Sequence, residues 1–284
     1  MPRPRTSRPH PLGSPRRASN PKATPAEHRR VRRLAHELVK KLDPGGTAAV
    51  LLAGSWARGD AHTASDIDLW VIRGRGRERE THFERDGRLV AVKYGTNASA
   101  RQAMRDPARF PGAVSGWRVA RVVQDPTGAA TRLKREAAEF RWSRVRRARD
   151  RYVADQLAGW AEEVVKLLRA METGERATAS VQRNLLANRM AYLRALELEV
   201  RPDTDNGLWE RTARRAGAAF HDAQRAALGT DGAGWRESCE GALRLYAITA
   251  RASLPLLRGE NRRIVRAACQ WAGYPLEKRG SKGR

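Results

Sequence analysis

"LLAGSWARGDAHTASDIDLWVI" (residues 51–72) opens apolar, breaks into a Gly/Ser loop and returns to an apolar run carrying two aspartates, Asp66 and Asp68. The second run reads as a strand, where residues two apart project to one face. Two carboxylates then stand side by side in a hydrophobic setting, in a chain whose formal net charge is +25. Like charges brought together out of water are costly without a compensating cation. The adjoining sequence offers no obvious partner. A divalent ion is the economical solution, and carboxylate oxygens with open positions for water and phosphate suit Mg²⁺.

The loop before the strand fits such a site. Gly54 lets the backbone approach a ligand closely. Ser55 supplies a hydroxyl, and a helix starting there would offer free N–H groups to phosphate. Arg58 adds positive charge, Gly59 permits a second tight turn, and Ser65 can fix the strand entry by bonding to the backbone.

Outward from this stretch, "TPAEHRRVRRLAHELVKKLDPGG" (24–46) reads as a capped helix. Thr24 is the N-cap, Pro25 stands at the first helical position and Glu27 lies three after the cap. Val31, Leu34, Ala35, Leu38 and Leu42 then recur at helical spacing up to Pro44. "TAAVLLAG" (47–54) and "IDLWVI" (67–72) read as strands, "RGRGRERETHFERDG" (73–87) as a polar connection, either a hairpin or a longer loop, "RLVAVKYG" (88–95) as a third strand and "WRVARVVQ" (117–124) as a fourth. "SARQAMRDPARF" (99–110) suggests a short helix ending at Pro107.

Beyond Gly128 the strand signals stop. Tyr152, Leu157, Trp160, Val164, Leu167 and Met171 form one apolar stripe at helical steps, and Val181, Leu185, Met190, Leu193 and Leu196 form another. Further helices are expected over about 207–228, broken near Gly217, then 234–257 and 261–273. The fold class expected is therefore an α/β (α+β) domain with a mixed sheet, followed by an all-α helical bundle. The division expected is a disordered basic tail over 1–25, a sheet domain over 26–126, a helical domain over 127–276 and a basic tail over 277–284.

Bulk composition narrows the classes. No apolar run approaches the ~18 residues of a membrane span, and the first residues lack the apolar segment of a secretory leader. A cytoplasmic protein with no membrane association is expected. Cys239 and Cys269 form no CxxC pair, so two reduced thiols are expected rather than zinc or a disulfide. Arginine outnumbers lysine 48 to 8, and such a surface attracts any polyanion.

The residues "GSWARGDAHTASDIDLW" (54–70) together resemble the signature of the nucleotidyltransferase superfamily, the DNA polymerase beta-like fold. The layout is similar to aminoglycoside- and lincosamide-type nucleotidyltransferases with a helical C-terminal domain. The resemblance implies that Gly54 and Ser55, with Arg58 and Ser65 around them, hold a triphosphate, and that Asp66 and Asp68 hold Mg²⁺ or Mn²⁺. It implies attack of an acceptor hydroxyl on the α-phosphorus of ATP or another NTP, releasing pyrophosphate. By the same resemblance Glu163, followed by Lys166, is the general base from the helical half; an exposed i,i+3 ion pair is its plainer reading.

One part of the pattern is missing. The family commonly carries a third carboxylate on a neighbouring strand, and "RLVAVKYG" has none. Glu84, Asp86 and Asp125 are the alternatives, and Lys93 either points at a phosphate or lies at the sheet surface. The partners expected are an NTP and a small-molecule hydroxyl acceptor such as an antibiotic. A nucleic-acid acceptor stays open because "RLKREAAEFRWSRVRRARDR" (132–151) is strongly basic. A catalytically degenerate, antitoxin-like nucleotide binder stays open because of the missing acid.

Overall fold

The computed structural model describes residues 21–45, 48–201 and 204–276. Most of the 1–25 tail and all of 277–284 lie outside them. Residues 21–24 are not a tail: Lys22 bridges to His62, and Ala23 N–H donates to Ala61 O at 2.8 Å. The capping box forms as read, with Thr24 Oγ1 accepting from Glu27 N–H at 3.2 Å and Glu27 Oε2 accepting from Thr24 N–H at 2.7 Å. It starts α1 (Pro25–Leu42).

Five strands form a mixed sheet: β1 (Ala49–Leu52), β2 (Ile67–Arg73), β3 (Arg79–Arg85), β4 (Arg88–Thr96) and β5 (Arg121–Gln124), in the order β3-β4-β2-β1-β5. Only β2 and β4 are parallel; β1 pairs antiparallel with β2 and β5, and β3 with β4. Along β2, Ile67, Leu69 and Val71 pack with α1, Val90 and Val92 in one core. Asp68, Trp70 and Ile72 alternate onto the other face.

One expectation is sharpened here and one fails, for definite reasons. The connection at 73–87 contains β3, an edge strand whose mostly charged side chains hide the period-two signal; only Thr81 and Phe83 are half-buried. The fourth strand is shorter than read, because Trp117–Val119 belong to a helix, α4 (Phe110–Val119), with Pro111 in its first turn. Pro there loses no intrahelical bond. Before α4 stand α2 (Gly54–Arg58) and α3 (Asn97–Ala103).

The rest is helical: α5 (Ala129–Ala138), α6 (Trp142–Gly159), α7 (Ala161–Thr173), α8 (Arg176–Glu197), α9 (Asp205–Ala216), α10 (Ala218–Leu228), α11 (Trp235–Ala252) and α12 (Gly259–Trp271). The stripe read as continuous from Tyr152 to Met171 is interrupted at Trp160, which ends α6 and precedes α7. The core does not part at 126/127: Leu51 and Ile72 of the sheet share one cluster with Phe110, Leu133, Leu157 and Tyr246. Tyr246 Oη donates to Leu157 O at 2.8 Å, satisfying a buried hydroxyl. Both cysteines are buried and free, and among the described residues no helix is long and apolar enough to cross a membrane.

α10 and α11 touch through Gly241. A Cβ there would lie 2.7 Å from Ala227 N and 2.8 Å from Ala226 Cβ. Gly241→Val should therefore force the helices apart and lower unfolding stability by about 1–3 kcal/mol. Denaturant titration checks this; an unchanged midpoint would contradict the close approach.

Candidate active site

The edge of β1 and the start of β2 flank a short turn. Gly54 has φ +60°, and Asp68 lies over it: a Cβ on Gly54 would stand 2.0 Å from Asp68 Oδ2. The glycine is thus needed for its backbone conformation and because Asp68 occupies the space of a side chain. Ala53 N–H donates to Asp68 O at 2.8 Å, tying the turn to β2. Ser65 Oγ accepts from His62 N–H at 2.9 Å, so it does hold the strand entry. Buried Trp56 props the loop from below, its indole N–H reaching Ser65 O at 3.4 Å.

Gly54, Ser55, Arg58, Ser65, Asp66 and Asp68 all open onto a cleft of about 1130 Å³. Asp66 precedes β2 and is exposed, whereas Asp68 is half-buried. The sequence reading that both carboxylates are buried holds only for the second. Burial pushes the Asp68 carboxyl above its ordinary value, the Asp66 charge adds to the rise, and Lys93 and Arg58 pull the other way. Neither aspartate's carboxylate has a hydrogen-bond or ion-pair partner among the described residues. A like-charged pair without a protein cation fits a divalent ion. Among the described residues no group of three or more His, Cys, Asp or Glu side chains is placed to hold a metal. The pair would leave most of the ion's coordination to water and phosphate oxygens, as Mg²⁺ prefers.

The cation side is divided. Arg58 Nε is engaged by both oxygens of Asp60, at 3.1 and 3.2 Å. Lys93 is on the cleft face, 3.8 Å from Glu80 Oε1. Glu80 is the residue that sequence reasoning missed. It lies opposite Lys93 in the β3–β4 ladder, which is in turn level with Trp70 on β2. Its charge also acts on Asp68. Its sequence trace is the faint alternation of Glu80, His82 and Glu84 with half-buried Thr81 and Phe83, which the charged run obscures.

The three acids suggested by sequence do other work. Glu84 Oε1 accepts from Gly87 N–H and closes the β3–β4 turn. Asp86 faces Arg30 at 3.4 Å. Asp125 accepts from Thr131 N–H and Oγ1 at 2.9 and 2.8 Å, capping α5. Glu163 is not brought to the cleft either. It sits half-buried on α7, 3.4 Å from Lys166, whose nearer partner is Glu162 at 2.7 Å.

The far wall is aromatic. Trp70 and Trp117 pack at a tilt with ring centres 5.2 Å apart, and Tyr192 of α8 donates to Pro107 O at 2.8 Å. Gly116 makes room for this wall, since a Cβ there would meet the Trp70 ring at 2.6 Å. The helical half thus reaches the cleft through α8 and Thr204.

The nucleotidyltransferase domain family matches residues 31–167. The fold is similar to that of a nucleotidyltransferase-like protein from Exiguobacterium sibiricum, with a TM-score of 0.50 and 12% identity over 84% of this chain and 79% of that one. No curated protein matches the sequence. With an acid pair and a Gly-Ser turn meeting in one cleft, and with that family match across both, residues 31–167 of this chain form a nucleotidyltransferase domain.

Proposed function

We propose that the chain is an active enzyme transferring a nucleoside monophosphate, AMP foremost, from an NTP to a hydroxyl of a small-molecule acceptor such as an antibiotic. The observation that carries this reading is the unpartnered Asp66–Asp68 pair facing the Gly54–Ser55 turn across one cleft. Ser55 and the backbone around Gly54 would receive the triphosphate, with Arg58 and Lys93 facing its charge. Asp66 and Asp68 would hold Mg²⁺ or Mn²⁺, which when bound neutralises charge developing on the phosphoryl oxygens. The acceptor oxygen forms a bond to the α-phosphorus as the bond to the bridging oxygen breaks, and pyrophosphate leaves with that electron pair. The hydroxyl proton passes to Glu80, replacing Glu163 in that role. Glu80 faces His82 Nε2 at 3.3 Å and Lys93 Nζ at 3.8 Å and no arginine, whereas Asp60 and Glu78 face arginines at 3.1 and 3.0 Å.

The Trp70–Trp117 wall and Tyr192 favour a compact acceptor with rings to lay against them. None of Glu136, Glu139, Asp155, Glu162, Glu163 and Glu172, acids of the helical half, lines the cleft. Glu136 is instead clamped by Arg101 at 2.7–2.9 Å. The carboxylates that line the cleft are Asp60, Asp66, Asp68, Glu78 and Glu80, so acceptor choice combines the aromatic wall with this acidic rim.

Pyrophosphate release with Mg²⁺ and each NTP, over a panel of hydroxyl-bearing antibiotics and tRNA, tests the reading. ATP binding without release for any acceptor would instead identify a degenerate nucleotide binder. Glu80→Gln should slow turnover about 10²-fold or more, the range of a positioned acid–base group. Glu163→Gln should leave it within about 2-fold, because surface changes away from the site move energies by only about 0.5 kcal/mol. The reverse ranking would restore Glu163 as the base.

A further inference from the structure

A second cavity, of about 550 Å³, lies behind α4. At 100° per residue, Arg118 leaves α4 on the side opposite Gly112 and Gly116, which line the catalytic cleft. Arg118, Arg141, Arg146, Arg149 and Arg201 face the cavity, with Glu199 as its one lining carboxylate.

That carboxylate is already taken. Arg149 Nη1 meets Glu199 Oε1 at 2.9 Å, and its Nη2 meets Asp150 Oδ1 at 2.8 Å. Arg146 reaches only Asp150, at 3.8 Å. Arg118 donates to Ala137 O and Ala138 O at 2.9 and 2.7 Å, which orients it without neutralising it. Arg141 donates only to Phe140 O, at 3.1 Å. Arg201 Nη1 is buried with no hydrogen-bond partner among the described residues.

Three guanidinium groups thus converge, none of them paired with a carboxylate among the described residues. Burial, and then the charges of Arg201 and Arg141, push the Arg118 guanidinium below its ordinary value. Such an arrangement opposes folding unless an anion sits in it. The start of α6 opens into the same cavity through Trp142 and Ser143. This 18-residue helix has no side-chain cap and no acid in its first turn; Arg144 N–H turns back to Arg141 O at 3.1 Å, and the N–H groups of Trp142 and Ser143 have no hydrogen-bond partner among the described residues.

We propose that this cavity is a binding site for a phosphate group, separate from the catalytic cleft and held by Arg118, Arg141, Arg201 and the N-terminus of α6. Several planar guanidinium forks converging with helix N–H groups match a tetrahedral anion with oxygens on every side better than a single carboxylate. The proposal does not depend on the reaction in the cleft. The phosphate belongs either to a small phosphomonoester or to a phosphodiester strand. Exposed Arg144, Arg147 and Arg151 continue from Arg141 along one face of α6 without carboxylate partners among the described residues, as a track for further phosphates would.

The test uses the full chain at constant ionic strength in a phosphate-free buffer. Inorganic phosphate is titrated by calorimetry, and a labelled ten-nucleotide single-stranded RNA by anisotropy. Arg201→Ala and Arg141→Ala should each weaken binding about 10-fold or more, the value of a charged hydrogen bond. Arg29→Ala, an exposed arginine on α1, removes the same charge and should change little. Without phosphate, Arg201→Ala should melt no lower than wild type, which separates lost binding from lost folding. Loss confined to inorganic phosphate assigns a small phosphomonoester. Parallel loss for RNA, with phosphate competing, assigns a strand. Both probes binding the two variants as tightly as Arg29→Ala would overturn the site.

Discussion

Asp68→Asn should abolish nucleotidyl transfer while leaving the protein at least as stable as before. Asparagine keeps the shape of the side chain and removes the charge. Removing one preorganised electrostatic contact to a reacting phosphoryl group typically costs about 10²–10³-fold, and here the lost group is half of the only acid pair assigned to the metal. Stability should move the other way, because burial and the neighbouring Asp66 already disfavour the Asp68 carboxylate. The expected signature is a pyrophosphate-release rate at background beside a melting temperature equal to or above wild type. Asp66→Asn should lose activity similarly, with stability within about 0.5 kcal/mol, because Asp66 is exposed. Wild-type turnover in either variant would remove the acid pair from the mechanism.

Gly54→Ala should damage both fold and function. Its φ of +60° is left-handed, which costs a residue bearing a Cβ about 1–2 kcal/mol. The added methyl would also stand 2.0 Å from Asp68 Oδ2 and 3.0 Å from its Cγ. Either the turn or the aspartate must move, adding about 1–3 kcal/mol of overpacking. The expected loss is about 2–5 kcal/mol in denaturant titration, with activity lost because the carboxylate leaves its place. Gly59→Ala is the matched control: φ is +92°, but nothing lies within 4 Å of the added atom. It should cost only the backbone strain and keep most activity. Equal effects at the two glycines would show that Asp68 tolerates displacement.

Some of the site was open to reading because its determinants are local. The Thr24–Glu27 cap, the α1 stripe and the alternation of Asp66, Asp68, Trp70 and Ile72 depend on residues within one or two turns of each other. Gly54 was legible as a close approach, although what approaches it is Asp68 itself rather than only a ligand. β3 was not legible because an edge strand buries little, so nothing forces its polar residues into a visible pattern. α4 was hidden by Pro111, which is a breaker inside a helix and harmless at its start.

By itself the sequence determined the elements around residues 51–72, the shared face of the two aspartates, the glycine at the turn and the change from sheet to helices past Gly128. Tertiary structure alone decided which distant charges join them. Glu80 enters the cleft because β3 pairs with β4 in a register that sets it across from Lys93, while Glu163 stays out because the packing of α7 leaves it beside Lys166. Spacing along a chain governs direction over a few residues; nearness between residues tens of positions apart follows only from strand pairing and helix packing, which no local pattern encodes.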